Sequence, residues 1–325
     1  MKKLIWYWKL LKLQGLIIKN KLFVSLNKQK FKKNIAIISC NKWAGKVSED
    51  ILLKHELNKL NVDVDIVSWE DPNINYEKYN IVVIRSIWGY QNNINAFVKW
   101  LDLLKKQDVV VINDLDIIKN TLSKKDQFNI LDKYKISHIE TKFITKKQIK
   151  TSLLDWFDQN CLNELYVFKP MISASGSNTL IVDAKNKNSL DKIYQSVLAE
   201  ENNGIMVQPY INGIEEGEIS LIFIDKKFSH AIRRHSGVFD GFIRIGEIPY
   251  NLIDQKLLNI AQNIVNLTEF QNITFCRLDF VKNEDDYLIM EIECIDPQLF
   301  LTSIKEKKRR AKALNLLAKK IIENA

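Results

Sequence analysis

Several recognition features are missing from this sequence, and each absence removes a class of protein. The four cysteines, Cys40, Cys161, Cys276 and Cys294, form no CxxC pair, and no histidine stands at zinc-ligand spacing from any of them. A zinc module is therefore not expected, and the pattern fits a reduced, cytoplasmic setting. Residues 1–33 contain ten lysines and no acidic residue. Since the whole chain carries +9, removing those ten charges leaves the remainder at −1. Basicity confined to one end argues against nucleic acid as a partner of the body, because phosphate neutralisation needs cations spread over the contact face. No uncharged run in residues 1–33 approaches the roughly 20 residues that span a bilayer. No small-residue cleavage site follows a clean apolar core there, so a signal peptide is not expected either. Lysine mixed with Trp and Tyr leaves three readings for this extension: a peripheral membrane-surface helix, a helix packed on the body, or a disordered leader. The Walker spacing GxxxxGK[ST] is absent, which excludes a P-loop NTPase, and no internal repeat is apparent.

What is present suggests two or three domains. A chain of 325 residues is long for one core, and its 46% apolar content is ordinary for a soluble protein. NIAIIS (34–39), VDVDIVSW and YNIVVIRS (79–86) read as strands, with a helix expected over Ser48 to Leu60 between the first two. Such alternation implies right-handed β-α-β units and a parallel sheet. Phe97, Trp100, Leu101 and Leu104 mark one face of a further helix, and VVVIND (109–114) closes this unit. A helix-rich passage over 115–135 precedes an α+β pattern: TKFIT, a helix around 146–159, ELYVFKP and NTLIVDA. Strands are expected at 204–208, 217–224 and 227–233, and a Lys-rich helix at 304–323 is expected to turn Ala311, Leu314, Leu317 and Ile321 to the body.

Candidate chemistry concentrates in CRLDFVKNEDDYLIMEIECIDPQLFL, residues 276–301. Side chains two apart in a strand share a face, so Arg277 pairs with Asp279, and Glu291 with Glu293. A hairpin turning at Asn283–Asp286 is expected to bring all four onto one face. Three carboxylates there suit a hard cation such as Mg2+, and a solvated polar strand face is the competing reading. Upstream, VFKPMISASGSNT puts Lys169 at a strand end before a small-residue loop around Gly176. That loop reads as a phosphate cradle or as a hairpin turn. Arg85, Trp88 and Tyr90 follow a strand of the parallel sheet, where ligands bind beyond the carboxyl ends. They read as a holder for a small anionic substrate, or as core aromatics beside a surface Arg. IMVQPYI followed by EEGE is an adenine-reading bend or a hinge between sheets. His230 reads as a structural hydrogen-bonding residue.

In order, RSIWGYQNNINAFVKWLD, SASGSNT, VQPYI, EGEISLIF, FSHAI and MEIECIDPQLFL resemble segments of the ATP-grasp superfamily of carboxylate–amine ligases. The likeness is to the branch of cycloserine-biosynthesis and glutathione-synthetase-like ligases, and it covers residues 34–302. It implies an ATP-grasp fold of α/β and α+β units, with an extension (1–33), a parallel substrate domain (34–116), a central ATP-grasp subdomain (117–203) and a C-terminal one with the metal site (204–325). It further implies an ATP-dependent C–N ligase using Mg2+ or Mn2+. Lys125, with Lys124 as the alternative register, and Lys169 would contact phosphates, and Ser175, Gly176 and Ser177 would close over them. Gln208, Tyr210 and Ile211 would hold adenine, and Glu218 the ribose. Asp279, Glu291 and Glu293 would bind metal. Arg277 would meet the transferred phosphoryl group, with Arg233 and Arg244 as further anion contacts, Arg234 at the surface and Asp296 structural.

The substrates implied are a small-molecule carboxylate and amine, joined through an acyl phosphate with release of ADP and phosphate. A peptide-modifying ligase and a non-catalytic ATP-binding protein are the competing functions, and a homodimer is compatible with either. Two departures touch the substrate and phosphate contacts. GFIRIGEIPY lacks the paired glycines of the relatives, and Lys124 stands where they often have Asp.

Overall fold

A computed structural model describes residues 33–145, 164–173, 179–183, 204–235 and 243–324. The extension expected before Lys33, the helix expected around 146–159, and Ser175, Gly176 and Ser177 lie outside the described residues. Among the described residues no helix is long and apolar enough to cross a membrane.

Three sheets organise the chain. The first is parallel, with β1 (Lys33–Ser39), β2 (Val62–Ser68), β3 (Ile81–Ser86) and β4 (Val110–Ile112) in the order β2-β1-β3-β4. Its central strands β1 and β3 are near-continuous apolar runs because both faces are covered, whereas the edge strand β2 alternates with Asp63 and Asp65. One face, including Ile35, Ile37, Ile81 and Val83, packs against α1 (Ser48–Lys59) and α6 (Lys307–Glu323). The other, including Ala36, Ile38, Val82 and Ile84, packs against α2 (Ile94–Lys106), which presents Phe97, Trp100, Leu101 and Leu104 as its spacing predicts. In α6 the buried positions are Ala313, Leu314, Leu317, Ala318 and Ile321, while Ala311 is exposed, so the inward face begins two residues later than expected.

The second sheet is antiparallel, ordered β5-β8-β6-β7, from β5 (Lys142–Ile144), β6 (Leu165–Pro170), β7 (Leu180–Asp183) and β8 (Ile205–Pro209). Strand β8, expected in the C-terminal unit, thus belongs to the central sheet, where it is held by β5 on one side and β6 on the other. The third sheet, also antiparallel, is ordered β11-β10-β9-β12-β13, from β9 (Glu218–Ile224), β10 (Lys227–His235), β11 (Arg244–Ile248), β12 (Phe275–Asn283) and β13 (Asp286–Glu293). Helices α3 (Leu115–Thr121), α4 (Lys124–Lys133) and α5 (Gln255–Val265) cover one face of it. The passage expected to open the central subdomain therefore contributes Ile117, Ile130 and Leu131 to the C-terminal core.

The hairpin β12–β13 turns at Asn283 and Asp286, as its sequence predicts, but its register then shifts between Phe280 and Asp279. Phe280 lies opposite Ile289 while Asp279 lies opposite Glu291, so Met290 is one extra residue in β13. An uninterrupted register would put Met290 across from Asp279 and turn Glu291 and Glu293 to the other face. The bulge, which the plain hairpin reading omits, is what gathers the carboxylates.

Asn113 ties the parallel sheet to the third one. Its Oδ1 accepts the N–H groups of Thr274 and Phe275, and its Nδ2 donates to the carbonyls of Phe275 (2.8 Å) and Cys294 (2.7 Å). Replacing it with Ala leaves four buried backbone groups without these partners, so Asn113→Ala is expected to destabilise the protein by about 3 kcal/mol or more. An urea-unfolding midpoint unchanged from wild type would contradict this.

His230 makes a second tie across the C-terminal unit, through Nε2–H to the Leu299 carbonyl at 2.8 Å and Nδ1 to Ser229 Oγ. Burial pushes its pKa down from 6.5 to about 4. On acidification the unfolded chain protonates first, so the contribution of the neutral ring is complete above pH 6.5 and is lost as pH falls towards 4. Wild-type stability is expected to drop across that window more steeply than that of His230→Gln. Parallel profiles would refute the assignment.

Candidate active site

One face of the third sheet carries the charges. Register puts Glu218 opposite Arg234, Ser220 opposite Asp279, Asp279 opposite Glu291 and Arg277 opposite Glu293, and directly opposed side chains share a face. Asp279 is 2% exposed and stands at the centre. It receives Arg277 Nε and Nη2 at 2.9 Å each, Arg234 Nη2 at 2.9 Å and the Ser220 hydroxyl at 2.6 Å. Burial alone would raise its carboxyl, but Arg234 and then Arg277 hold it down at about 2. Burial opposes the Arg277 charge in turn, and Asp279 outweighs it, so that guanidinium is held firmly protonated. Arg234 also reaches Glu218 at 2.7 Å, and the ring of Phe300 lies 5.8 Å and 5.9 Å from the two guanidiniums. Arg234 is thus an interior member of the cluster, not the surface charge expected.

Arg233 and Arg244, expected as anion contacts, fall on the opposite face. Arg233 neighbours Arg234 in β10, and successive strand residues point to opposite sides. It donates to the Glu216 carbonyl instead. Arg244 lies across from His235 on the exposed edge strand β11, in the same facing set as Arg233.

The first lysine is set by helical phase. In α4, Lys124, Gln127, Phe128 and Leu131 are buried and Lys125 is exposed. Spacings of four and seven from Lys124 to Phe128 and Leu131 define one face, whereas three and six from Lys125 do not. Lys124 Nζ donates to Glu291 Oε1 at 2.5 Å and to the Ser173 carbonyl at 3.3 Å. Lys125 uses only its backbone N–H here, donated to the helix-capping Ser123. The register assigned to Lys125 therefore moves to Lys124. Gln127, on the same face, accepts the Ile292 N–H and donates to the Thr121 carbonyl, fixing β13 just beyond its bulge.

Lys169 comes from the central sheet, near the end of β6. Burial and then the Lys124 charge lower its pKa, against the opposite pull of Glu218, Glu291 and Asp279. Two sheets and one helix thus bring two lysines and two arginines to one acidic group. Gln208 donates to Thr141 Oγ1 and is spent on the central sheet. Tyr210 and Ile211 follow in the connection from β8 to the short turn Asn212–Glu216, where burial and then Glu215 push the Tyr210 hydroxyl up to about 12.

Among the described residues no three Asp, Glu, His or Cys side chains are grouped to hold a metal ion. The expected trio is divided because Asp279 is turned to its guanidiniums. Glu291 is held low by Lys124 against burial, whereas burial and then Glu291 push the Glu293 carboxyl up. Glu293 accepts the N–H groups of Ile295 and Asp296, with Arg277 opposite it in register. This surplus of buried negative charge on hard oxygens fits a divalent cation such as Mg2+ at Glu291 and Glu293.

Of the expected substrate holders, Arg85 and Trp88 line one cavity and Tyr90 is buried. Arg85 is 3% exposed and engaged by Glu49 at 3.4 Å, Asp50 at 3.8 Å and the Pro297 carbonyl at 3.1 Å. Two buried acids thus share its charge. Tyr90 is buried against Phe97, its hydroxyl pushed far up by burial and then by Asp296, Glu293 and Glu291. Trp88 remains half-buried, edge-on to Trp43.

Comparison with known proteins identifies the family and the fold. Residues 35–113 match the family model for the N-terminal domain of D-cycloserine synthetase DcsG, and residues 133–309 match that for the prokaryotic glutathione synthetase ATP-grasp domain. The cycloserine biosynthesis protein DcsG of Streptomyces lavendulae is 20% identical over 255 residues, 74% of this chain and 84% of that protein. The crystal structure of D-cycloserine synthetase DcsG superposes with a TM-score of 0.75 at 17% identity, covering 89% of this chain and 99% of that one. D-alanine–D-alanine ligase from Bacillus anthracis complexed with ATP gives 0.63 at 16% identity, covering 90% and 97%. With more than half of its length matched by one family model, the chain belongs to the prokaryotic glutathione synthetase ATP-grasp family and is an ATP-dependent C–N ligase.

Proposed function

We propose that the protein joins a carboxylate and an amine on amino-acid-like or peptide-like small molecules through an acyl phosphate, releasing ADP and phosphate. The observation that carries this reading is the convergence of Lys124 and Lys169 on the face that bears Glu291, Asp279, Arg277 and Arg234. A carboxylate oxygen attacking the γ-phosphorus of ATP sets an anion against a polyanion, so the protein's part is to neutralise and align. Lys124 and Lys169 supply positive charge from two directions on the cleft. Arg277 is fixed by Asp279 for the transferred phosphoryl group, and Phe300 and Arg234 limit its rotation. The amine then attacks the acyl carbon, phosphate departs and the amine loses a proton.

Mg2+ arriving with the nucleotide would be held by Glu291 and Glu293, with Asp279 able to join on release from Arg234, and it supplies further neutralisation of the phosphates. Gln208 at the end of β8, and Tyr210 and Ile211 on the connection that follows it, would hold adenine between the two sheets, with Glu218 on the same charged face for the ribose. Ser175, Gly176 and Ser177 keep the role of a phosphate-covering loop in this reading.

Neighbouring residues provide an internal control. Lys124→Ala and Arg234→Ala are expected to lower substrate-dependent ADP release by about 100-fold or more, while Lys125→Ala and Arg233→Ala stay within about twofold of wild type. Steady-state ADP release across an amino-acid and dipeptide panel measures this, and the reverse ranking would defeat the assignment of faces.

A further inference from the structure

A second acidic feature lies beyond the phosphate cluster. Between the parallel sheet and the segment after β13 is a cavity of about 40 Å³, lined among others by Ser48, Arg85, Trp88, Asp296, Gln298 and Thr302. Asp296 is 4% exposed, and its Oδ2 has no hydrogen-bond partner. The neighbouring cations are already committed. Arg85 is shared by Glu49 and Asp50, and Arg277 is held by Asp279. Glu49 and Asp296 both line this cavity with the single guanidinium of Arg85, and although Arg277 and Arg85 both act on Asp296, neither donates a hydrogen bond to its Oδ2. An unpaired buried carboxyl is costly and is not needed for packing.

We propose that Asp296 receives an ammonium group of the substrate in this cavity, making the protein selective for primary amines such as amino acids over their hydroxy counterparts. This rests on the ligase reading above and names the substrate class of its site. The 40 Å³ exceeds the roughly 10–15 Å³ of such space that one water needs, and an ammonium group is of similar size to a water. Trp88, on the cavity wall, adds an aromatic surface of the kind that attracts cations. The position suits a substrate group. The Asp296 N–H donates to Glu293 Oε1 at 3.3 Å, so the cavity adjoins the acidic cluster without sharing its lysines.

The test uses the full chain with Mg2+ and ADP, and reads binding by thermal shift and calorimetry. Probes are alanine and serine of both hands, each against lactate or glycerate of the same hand. At least one amino acid is expected to bind about tenfold or more tightly than its hydroxy partner, and Asp296→Asn is expected to abolish that preference. Equal binding of the two classes, no binding of any amino acid, or a preference retained in Asp296→Asn would overturn the proposal. The wild-type comparison decides the matter even where the variant folds poorly. Failure of Mg-ADP to stabilise the wild type counts against the ATP-grasp ligase reading alone, since the amino-against-hydroxy comparison is read separately.

Discussion

A side chain in a β-strand has two directions available, and the insertion of Met290 is where this protein changes from one to the other. On the turn side of the bulge, Ile289 and Tyr287 fill the apolar core. Past it, Glu291 and Glu293 stand opposite Asp279 and Arg277. Without the extra residue the two glutamates would point at Leu257, Ile264 and their neighbours, where unpaired carboxylates are prohibitive. The bulge is held from outside as well. Gln127 bonds the Ile292 N–H, and Ser137 and Ile139 pair with Ile289. Much of the local architecture exists to keep this one register.

The charges so gathered must be compensated, and the fold does so unevenly. Among the described residues, Asp279 is bonded by two guanidiniums and a hydroxyl and Glu291 by one lysine, whereas Glu293 accepts backbone N–H groups and Asp296 Oδ2 accepts no hydrogen bond. Positive charge is therefore concentrated on the β9 side of the sheet face, and unmet negative charge on the side of β13 facing the parallel sheet. A polyanion and a cation would find complementary ends of one continuous face. That arrangement suits chemistry in which phosphates, a metal ion and an amine must meet without mixing.

Much of the fold was legible in the sequence because continuous apolar strands and the Phe97–Leu104 helix face follow simple periods. The ordered motifs carried the family. Errors came where one residue of phase decides the outcome. Lys125 replaced Lys124 although the four- and seven-residue spacings to Phe128 and Leu131 were available. Strand alternation puts Arg234, opposite Glu218, on the charged face and Arg233 on the other. The buried partners of Arg85, Glu49 and Asp50, lie 35 residues away or more in sequence and carry no local signal. Asn113, Gln127, Phe300 and the bulge itself are defined only by long-range contacts. The assignment of β8 to the wrong sheet has the same origin, since strand pairing partners are set by tertiary structure rather than by strand sequence.

The central claim is that the gathered face binds a metal-bridged triphosphate. Calorimetric titration of the full chain with Mg2+ and a non-hydrolysable ATP analogue, in wild type and Glu291→Gln, tests it most directly. The account predicts saturable binding by the wild type that requires Mg2+ and weakens by about tenfold or more in the variant. Binding of equal strength in both proteins, or binding indifferent to Mg2+, would contradict it.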